Sequence, residues 1–227
     1  MSKKEIIHEA YIEALKGKLE KAQASYEIAK RDTIEAEGRM VTRYDSTKTE
    51  TAWLADGYLK EVKELQQCIV NIQEGKQFAN ISDQVSIEII AGAEYERTVK
   101  YELSRTENSA VSENLMLNII GSVVGDVILV EENKRHFEYH IKDIQKGNPQ
   151  GKISVGSVVT LLDEYGDREE YYIVNYVGGM EITAEDSDVF CISKQTPIAR
   201  VLLGKEKGEE VVLSVNGEEK FLIEDIL

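Results

Sequence analysis

Between Lys4 and about residue 76 the chain contains no proline, and its apolar or small residues recur three and four apart. Ile12, Leu15, Leu19, Ala22, Tyr26, Ala29, Thr33 and Ala36 make one series. Thr51, Ala55, Tyr58, Val62, Leu65, Ile69 and Ile72 make a second. Alternation of three and four is the seam of a coiled coil. Each series is too short for a fibre, and a break from Gly38 to Glu50 separates them, so the pattern predicts two long antiparallel helices packed on each other. Thr47 and Glu50 stand at capping-box spacing, in which the hydroxyl accepts from the N3 amide and the carboxylate reaches back to the N-cap amide. The second helix is therefore expected to start near Thr47, with the hairpin tip between about Met40 and Ser46. An arm of about 28 residues, rising 1.5 Å per residue, is about 42 Å long.

After this region the period of the pattern changes from helical to two. Val85, Ile87 and Ile89 alternate with polar neighbours, and "RTVKYEL" reads as a further strand. The same grammar returns in "ISVGSVVTLL", "REEYYIVNYV" and "DVFCIS". The two stretches also align. "NIIGSVVGDVILVEENKRHFEYHIKDI" parallels "RVLLGKEKGEEVVLSVNGEEKFLIEDI", with Gly121 on Gly204 and Gly125 on Gly208. A repeat of this length with its glycines in register predicts two similar β-rich domains, 79–145 and 152–227, after a hairpin over 1–77. The linker "QKGNPQGK" between them holds Pro149 and two glycines, which is turn and boundary chemistry.

Composition narrows the function classes. A formal net charge of -15 opposes non-specific binding to nucleic acid, which rewards basic patches, and leaves open a protein partner with a positive channel. Two cysteines, Cys68 and Cys191, are too few for a disulfide framework and fit as small buried residues of a reducing compartment. The N-terminus is charged at helical spacing without an apolar run, and nothing approaches the ~20 apolar residues of a membrane span. The expectation is a cytoplasmic, monomeric protein.

The C-terminal phrase "ISKQTPIARVLLGKEKGEEVVL" carries the most specific signal. Ser193, Thr196, Pro197, Ile198, Ala199, Arg200, Leu202, Leu203, Gly204, Lys205, Gly208, Glu209 and Val211 fit the pattern S-x-x-(S/T)-P-(L/I)-A-R-A-(L/I)-(L/I/M)-G-K-x-x-G-(D/E)-x-V. Val201 replaces the usual alanine. Ser193 to Val211 with the strand after it, and most of residues 153–227, thereby resemble the C-terminal domain of bacterial GreA/GreB transcript cleavage factors. Physically, Pro197 can start a short helix because its missing N–H is not needed there. Ile198, Val201 and Leu202 supply an apolar face, and Gly204 can end the helix in a left-handed conformation.

Together with the internal repeat, the resemblance implies an α+β fold: an N-terminal antiparallel α-helical coiled-coil hairpin followed by two FKBP-like (GreA C-terminal-like) antiparallel β domains, the extra copy being a departure from the family. It further implies an RNA polymerase-binding factor of GreA/GreB type, not an enzyme in its own right. In that family the hairpin enters the polymerase's secondary channel, where tip acids help hold a catalytic Mg2+ and orient a water, so that backtracked RNA is cleaved. Such a hard cation takes oxygen ligands. On that reading Asp45 is the metal-assisting tip carboxylate and Glu50 the second, with no cofactor of the protein's own. Arg200, Lys205, Pro197 and Arg43 are the candidate polymerase contacts, and a local salt bridge is the competing role for Arg200 and Lys205.

The family's tip string G-D-L-(S/K)-E-N-A-E-Y is missing here. Asp32 and Glu35 have the D-x-x-E spacing but belong to the first helix below the tip, and Arg39, Arg43 and Lys48 flank the tip acids. A channel-occupying regulator without cleavage is therefore the alternative. An FKBP-like prolyl isomerase and a dimerising coiled-coil protein are rivals from other classes. In the earlier repeat Asn114, Leu117 and Ser122 replace Pro197, Arg200 and Lys205, as expected of a copy kept for fold or spacing. His136 and His140 are four apart, but they stand in a strand-like alternation that argues against a helical metal pair. Trp53 near the tip is either a contact or a packing residue.

Overall fold

The computed structural model describes residues 1–37, 47–74, 79, 83–90, 96–102, 113–120, 122, 124–132, 135–145, 151–184, 187–214 and 218–227. The chain divides into two compact units, His8–Gly75 and Met1–Ile7 together with Lys76–Leu227. No described helix is long and apolar enough to cross a membrane.

The first unit is built on two helices, α1 (Lys3–Glu37) and α2 (Thr47–Gln73). Helix α2 begins at the residue the capping-box spacing selects, with Glu50 in its first turn. Each helix hides one stripe. Leu15, Ala22 and Ala29 are buried on α1, and Ala55, Val62, Leu65, Cys68 and Ile69 on α2. Nearly all are positions of the two expected seams. The differences lie near the start of α1, where Tyr11 is buried and Ile12 is only half-buried, and near the end of α2, where Cys68 and Asn71 are buried and Ile72 is only half-buried. The expected tip, 40–46, lies outside the described residues.

The second unit holds two sheets. The first contains β1 (Gln84–Ile90), β2 (Glu96–Glu102), β3 (Val127–Glu132) and β4 (Arg135–Gln145), in the order β2-β1-β4-β3, with the short helix α3 (Glu113–Ile119) between β2 and β3 in the chain. All its pairings are antiparallel. Val85, Ile87, Tyr139, Ile141 and Ile144 form its core with Leu115, Met116, Ile119 and Ile120 from α3 and its end. The second sheet contains β5 (Val158–Asp163), β6 (Arg168–Val174), β7 (Met180–Ala184), β8 (Ser187–Ser193), β9 (Glu210–Ser214) and β10 (Glu218–Ile226). Its order is β7-β8-β6-β5-β10-β9, with helix α4 (Pro197–Leu202) between β8 and β9 in the chain.

The second sheet departs from a purely antiparallel expectation, because β6 and β8 pair in parallel. The strand β7, which alternation alone does not single out, pairs with β8 and lets it run that way. One face packs Leu161, Ile173, Val211, Phe221 and Ile223 against Ala199, Leu202 and Leu203. The opposite face is also covered: Val158, Val174, Val189 and Cys191 are buried there. The first turn of α1 reaches that face. Lys3 Nζ lies 2.5 Å from Glu170 Oε1 on β6, and Lys4 Nζ donates to the Leu227 carbonyl at 3.3 Å.

One set of hydrogen bonds occurs in both sheets. Gly125 N–H donates to the Ile141 carbonyl at 2.8 Å, and Ile141 N–H to the Asp126 carbonyl at 2.9 Å. Gly208 N–H donates to the Ile223 carbonyl at 2.8 Å, and Ile223 N–H to the Glu209 carbonyl at 2.9 Å. Both glycines have left-handed φ, +98° and +88°, which disfavours any side chain. Each sheet also carries a bulge at the matching place. The β1–β4 register passes over Lys142, and the β5–β10 register passes over Glu224.

Candidate functional site

The segment 193–209 builds a loop, a one-and-a-half-turn helix and a tight return. Thr196 is the N-cap of α4, in extended conformation, and its hydroxyl accepts from Ala199 N–H at 3.3 Å while donating to the Ser193 carbonyl at 2.8 Å. Capping satisfies an amide that the helix cannot. Pro197 follows at the first helical position and is exposed. The inward face is Ala199, Leu202 and Leu203, with Ile198 and Val201 partly buried beside it. Of the expected face, Leu202 is fully buried and Ile198 and Val201 are only partly so, while Ala199 and Leu203 complete the inward side. Gly204, with φ +83°, then ends the helix as expected, and its N–H donates to the Ile153 carbonyl at 2.8 Å.

The two basic candidates part company here. Lys205 Nζ lies 2.6 Å from Glu209 Oε2, and Glu209 Oε1 accepts from Glu206 N–H at 2.8 Å. Its ammonium is thus used locally, and its backbone carbonyl accepts from Ile153 N–H. Arg200 is exposed on α4, and among the described residues no side chain pairs with its guanidinium. A free guanidinium beside an exposed proline is a surface that can meet a carboxylate or a carbonyl bidentately.

A third basic group, one that the sequence pattern does not reveal, lies in the loop before the helix. Lys194 N–H donates to the Val174 carbonyl at 3.0 Å, while its Nζ donates to the carbonyl of Ile120, just past α3 in the first sheet's domain. Burial pushes the Lys194 ammonium down to about 8, and nearby Asp126 pulls the other way. Val155 packs against the cores of both domains.

The other candidates fall as follows. Asp45 and Arg43 lie outside the described residues. Glu50 is exposed in the first turn of α2, and Asp32 and Glu35 are in α1. Trp53 is 71% exposed, which favours a contact role over packing. His140 lies on β4 with its ring 3.3 Å from Glu138, and His136 is on the same strand. No group of three or more His, Cys, Asp or Glu that could hold a metal ion occurs among the described residues. Both cysteines are buried, and burial pushes the Cys191 thiol up to about 12, so it is no nucleophile at neutral pH.

Residues 148–227 match the family model described as "Transcription elongation factor, GreA/GreB, C-term". This segment is similar to the GreA/GreB C-terminal domain. Among relatives, GreA of Sulfurovum sp. (strain NBC37-1) is 43% identical over 77 residues, covering 34% of this chain and 44% of that protein. GreA of Vibrio parahaemolyticus is 36% identical over 97 residues, covering 40% of this chain and 59% of that protein. The chain thus spans about half the length of the curated relatives it matches. A solved structure of Thermus aquaticus Gfh1 aligns over 96% of this chain and 94% of its own at 18% identity, but the TM-score of 0.26 is too low to carry an argument. The matched segment includes Thr196, Pro197, Arg200 and Lys205.

Proposed function

We propose that this chain is an RNA polymerase-binding transcription elongation factor of the GreA/GreB type. The observation that carries the reading is the match to the GreA/GreB C-terminal domain at 148–227, where Arg200, unpaired among the described residues, and exposed Pro197 form the docking surface. Lys205 serves that surface indirectly, by holding the return loop through Glu209. The seams of α1 and α2 pair as an antiparallel coiled-coil hairpin that enters the polymerase's secondary channel. The first β domain, 79–145, is a degenerate second copy of the 152–227 fold, as its matching bulge and glycine turn suggest.

Asp45 would supply a carboxylate to the polymerase's Mg2+, with Glu50 as the second acid. The metal supplies charge stabilisation and an activated water for phosphodiester hydrolysis when bound. The only fully described tip carboxylate, Glu50, is exposed, as an oxygen donor to an external ion has to be. One or two oxygens from this chain would supplement ligands held by the polymerase. The basic residues Arg39, Arg43 and Lys48 around these acids, and the missing family tip string, favour a second reading in which the hairpin occupies the channel without cleavage.

A stalled, backtracked elongation complex with end-labelled RNA separates the two. Wild-type protein is expected to shorten the transcript, and Asp45→Asn to lower that rate about a hundredfold, the scale of losing one positioned catalytic group. Glu50→Gln is expected to cost less. Slowed extension with no cleavage establishes the second reading, and no effect of either kind removes both.

A further inference from the structure

We propose that the first β domain is a fixed buttress for the docking loop 193–197, and that Lys194 is the positioning residue that joins them; the loop's role in docking rests on the function proposed above. Lys194 is held at both ends. Its backbone N–H is tied to the end of β6 through the Val174 carbonyl, and its ammonium to the Ile120 carbonyl at the end of α3. That carbonyl is a natural acceptor, since the last carbonyls of a helix lack partners within it and attract cations. The neighbouring groups are already used: Ile120 N–H donates to Met116, Ser122 N–H to Ile119, and Ser122 Oγ to Asn118.

The loop itself is short and locally bonded. Gln195 N–H donates to Ser193 Oγ at 3.2 Å, and Thr196 N–H to the Ser193 carbonyl at 2.9 Å. These bonds define the turn but do not fix it to anything outside. The clasp through Lys194 does, one residue from Gln195 and three from Pro197. A lysine in an exposed loop ordinarily keeps its ammonium in water. Here it is withdrawn from water against a desolvation cost, beside Asp126 and in line with the Val155 contact shared by both cores. Such an arrangement holds two domains in one orientation, and the element it holds most directly is the loop that presents Pro197 and Arg200.

Amide hydrogen exchange on the full chain tests this. In Lys194→Met, the amides of Thr196 and Arg200, and those of Ser122 and Gly125 across the junction, are expected to exchange about tenfold faster, while β5 and β10 stay protected. Lys194→Arg, which keeps a cationic donor, is expected to restore slow exchange. If Lys194→Met does not fold, Val155→Ala thins the same junction without touching the loop and is expected to speed Thr196 likewise. Unchanged exchange at Thr196 and Arg200 in a folded variant overturns the buttress. Titration against RNA polymerase separates this inference from the function it rests on. Lys194→Met is expected to bind about tenfold more weakly than wild type, with Lys194→Arg rescuing it. Wild-type protein that binds no polymerase removes the docking reading, while the exchange rates still decide the buttress.

Discussion

Gly178→Ala is expected to lower the unfolding free energy by about 3 kcal/mol, the upper end for forcing one extra carbon into a packed site. A Cβ built on Gly178 would lie 2.3 Å from the Ser193 backbone nitrogen and 3.0 Å from the Ile192 carbonyl carbon. Neither atom belongs to a side chain that can swing away. Both belong to β8, which is hydrogen-bonded to β6 on one side and β7 on the other. Relief therefore requires the strand that leads into the 193–197 loop to shift. The same substitution at Gly17 or Gly57 is a built-in contrast. Each lies in a helix with nothing within 4 Å of an added Cβ. Alanine there is expected to stabilise by about 1 kcal/mol through better helix propensity. Urea unfolding midpoints of the three variants measure both signs, and a Gly178→Ala protein as stable as wild type would contradict the close approach of the 178 turn to β8.

The second large effect is a pH dependence. Burial holds the folded Lys194 ammonium down at about 8, against an ordinary value of 10.5 in the unfolded chain. Between those values the unfolded state carries a proton that the folded state has shed, so stability rises with pH. The contribution is fully present above 10.5 and is lost as the pH falls through 8. Below that, both states are charged, and the folded state bears the whole cost of the buried cation. Relative to Lys194→Met, the wild-type protein is thus expected to gain about 2 to 3 kcal/mol between pH 7.5 and 10, at 1.36 kcal/mol per unit. Asp126 faces the ammonium and works in the opposite sense, already within that value. Tyr171 and Tyr172, held above their ordinary range by burial, act with the opposite sign at alkaline pH and are common to both proteins. Denaturant unfolding of the pair across this range gives the difference directly. A flat difference would mean that Lys194 reaches water.

Much of this architecture is readable from residue order because local chemistry dictates it. The seams on α1 and α2, the start of α2 at Thr47, the apolar runs of β1, β5, β6 and β8, and the helix opened by Pro197 and closed by Gly204 each depend on residues a few positions apart. β3 and β4 pair with Glu132 opposite Arg135. What residue order hides is tertiary. β7 is five residues long and joins the sheet only because β8 offers it an edge, while the parallel β6–β8 pairing has no local signature. Thr196 as cap had a signal, a threonine directly before a helix-opening proline. Lys205 also had one, since Glu209 stands four residues on. Lys194 had none. Its partner carbonyl lies 74 residues away, and an isolated lysine in a polar loop looks like any solvated one.

The proposed docking on RNA polymerase through the segment that resembles the GreA/GreB C-terminal domain is tested most directly by titrating fluorescently labelled full-length protein with core polymerase, wild type beside Arg200→Ala. Arg200 is exposed and unpaired among the described residues, so its removal is expected to leave the unfolding midpoint unchanged. Binding is expected to saturate for wild type and to weaken about tenfold for Arg200→Ala, the loss of a moderate interface arginine. Equal binding by the two proteins, or no binding by wild type, would contradict the assignment of this surface.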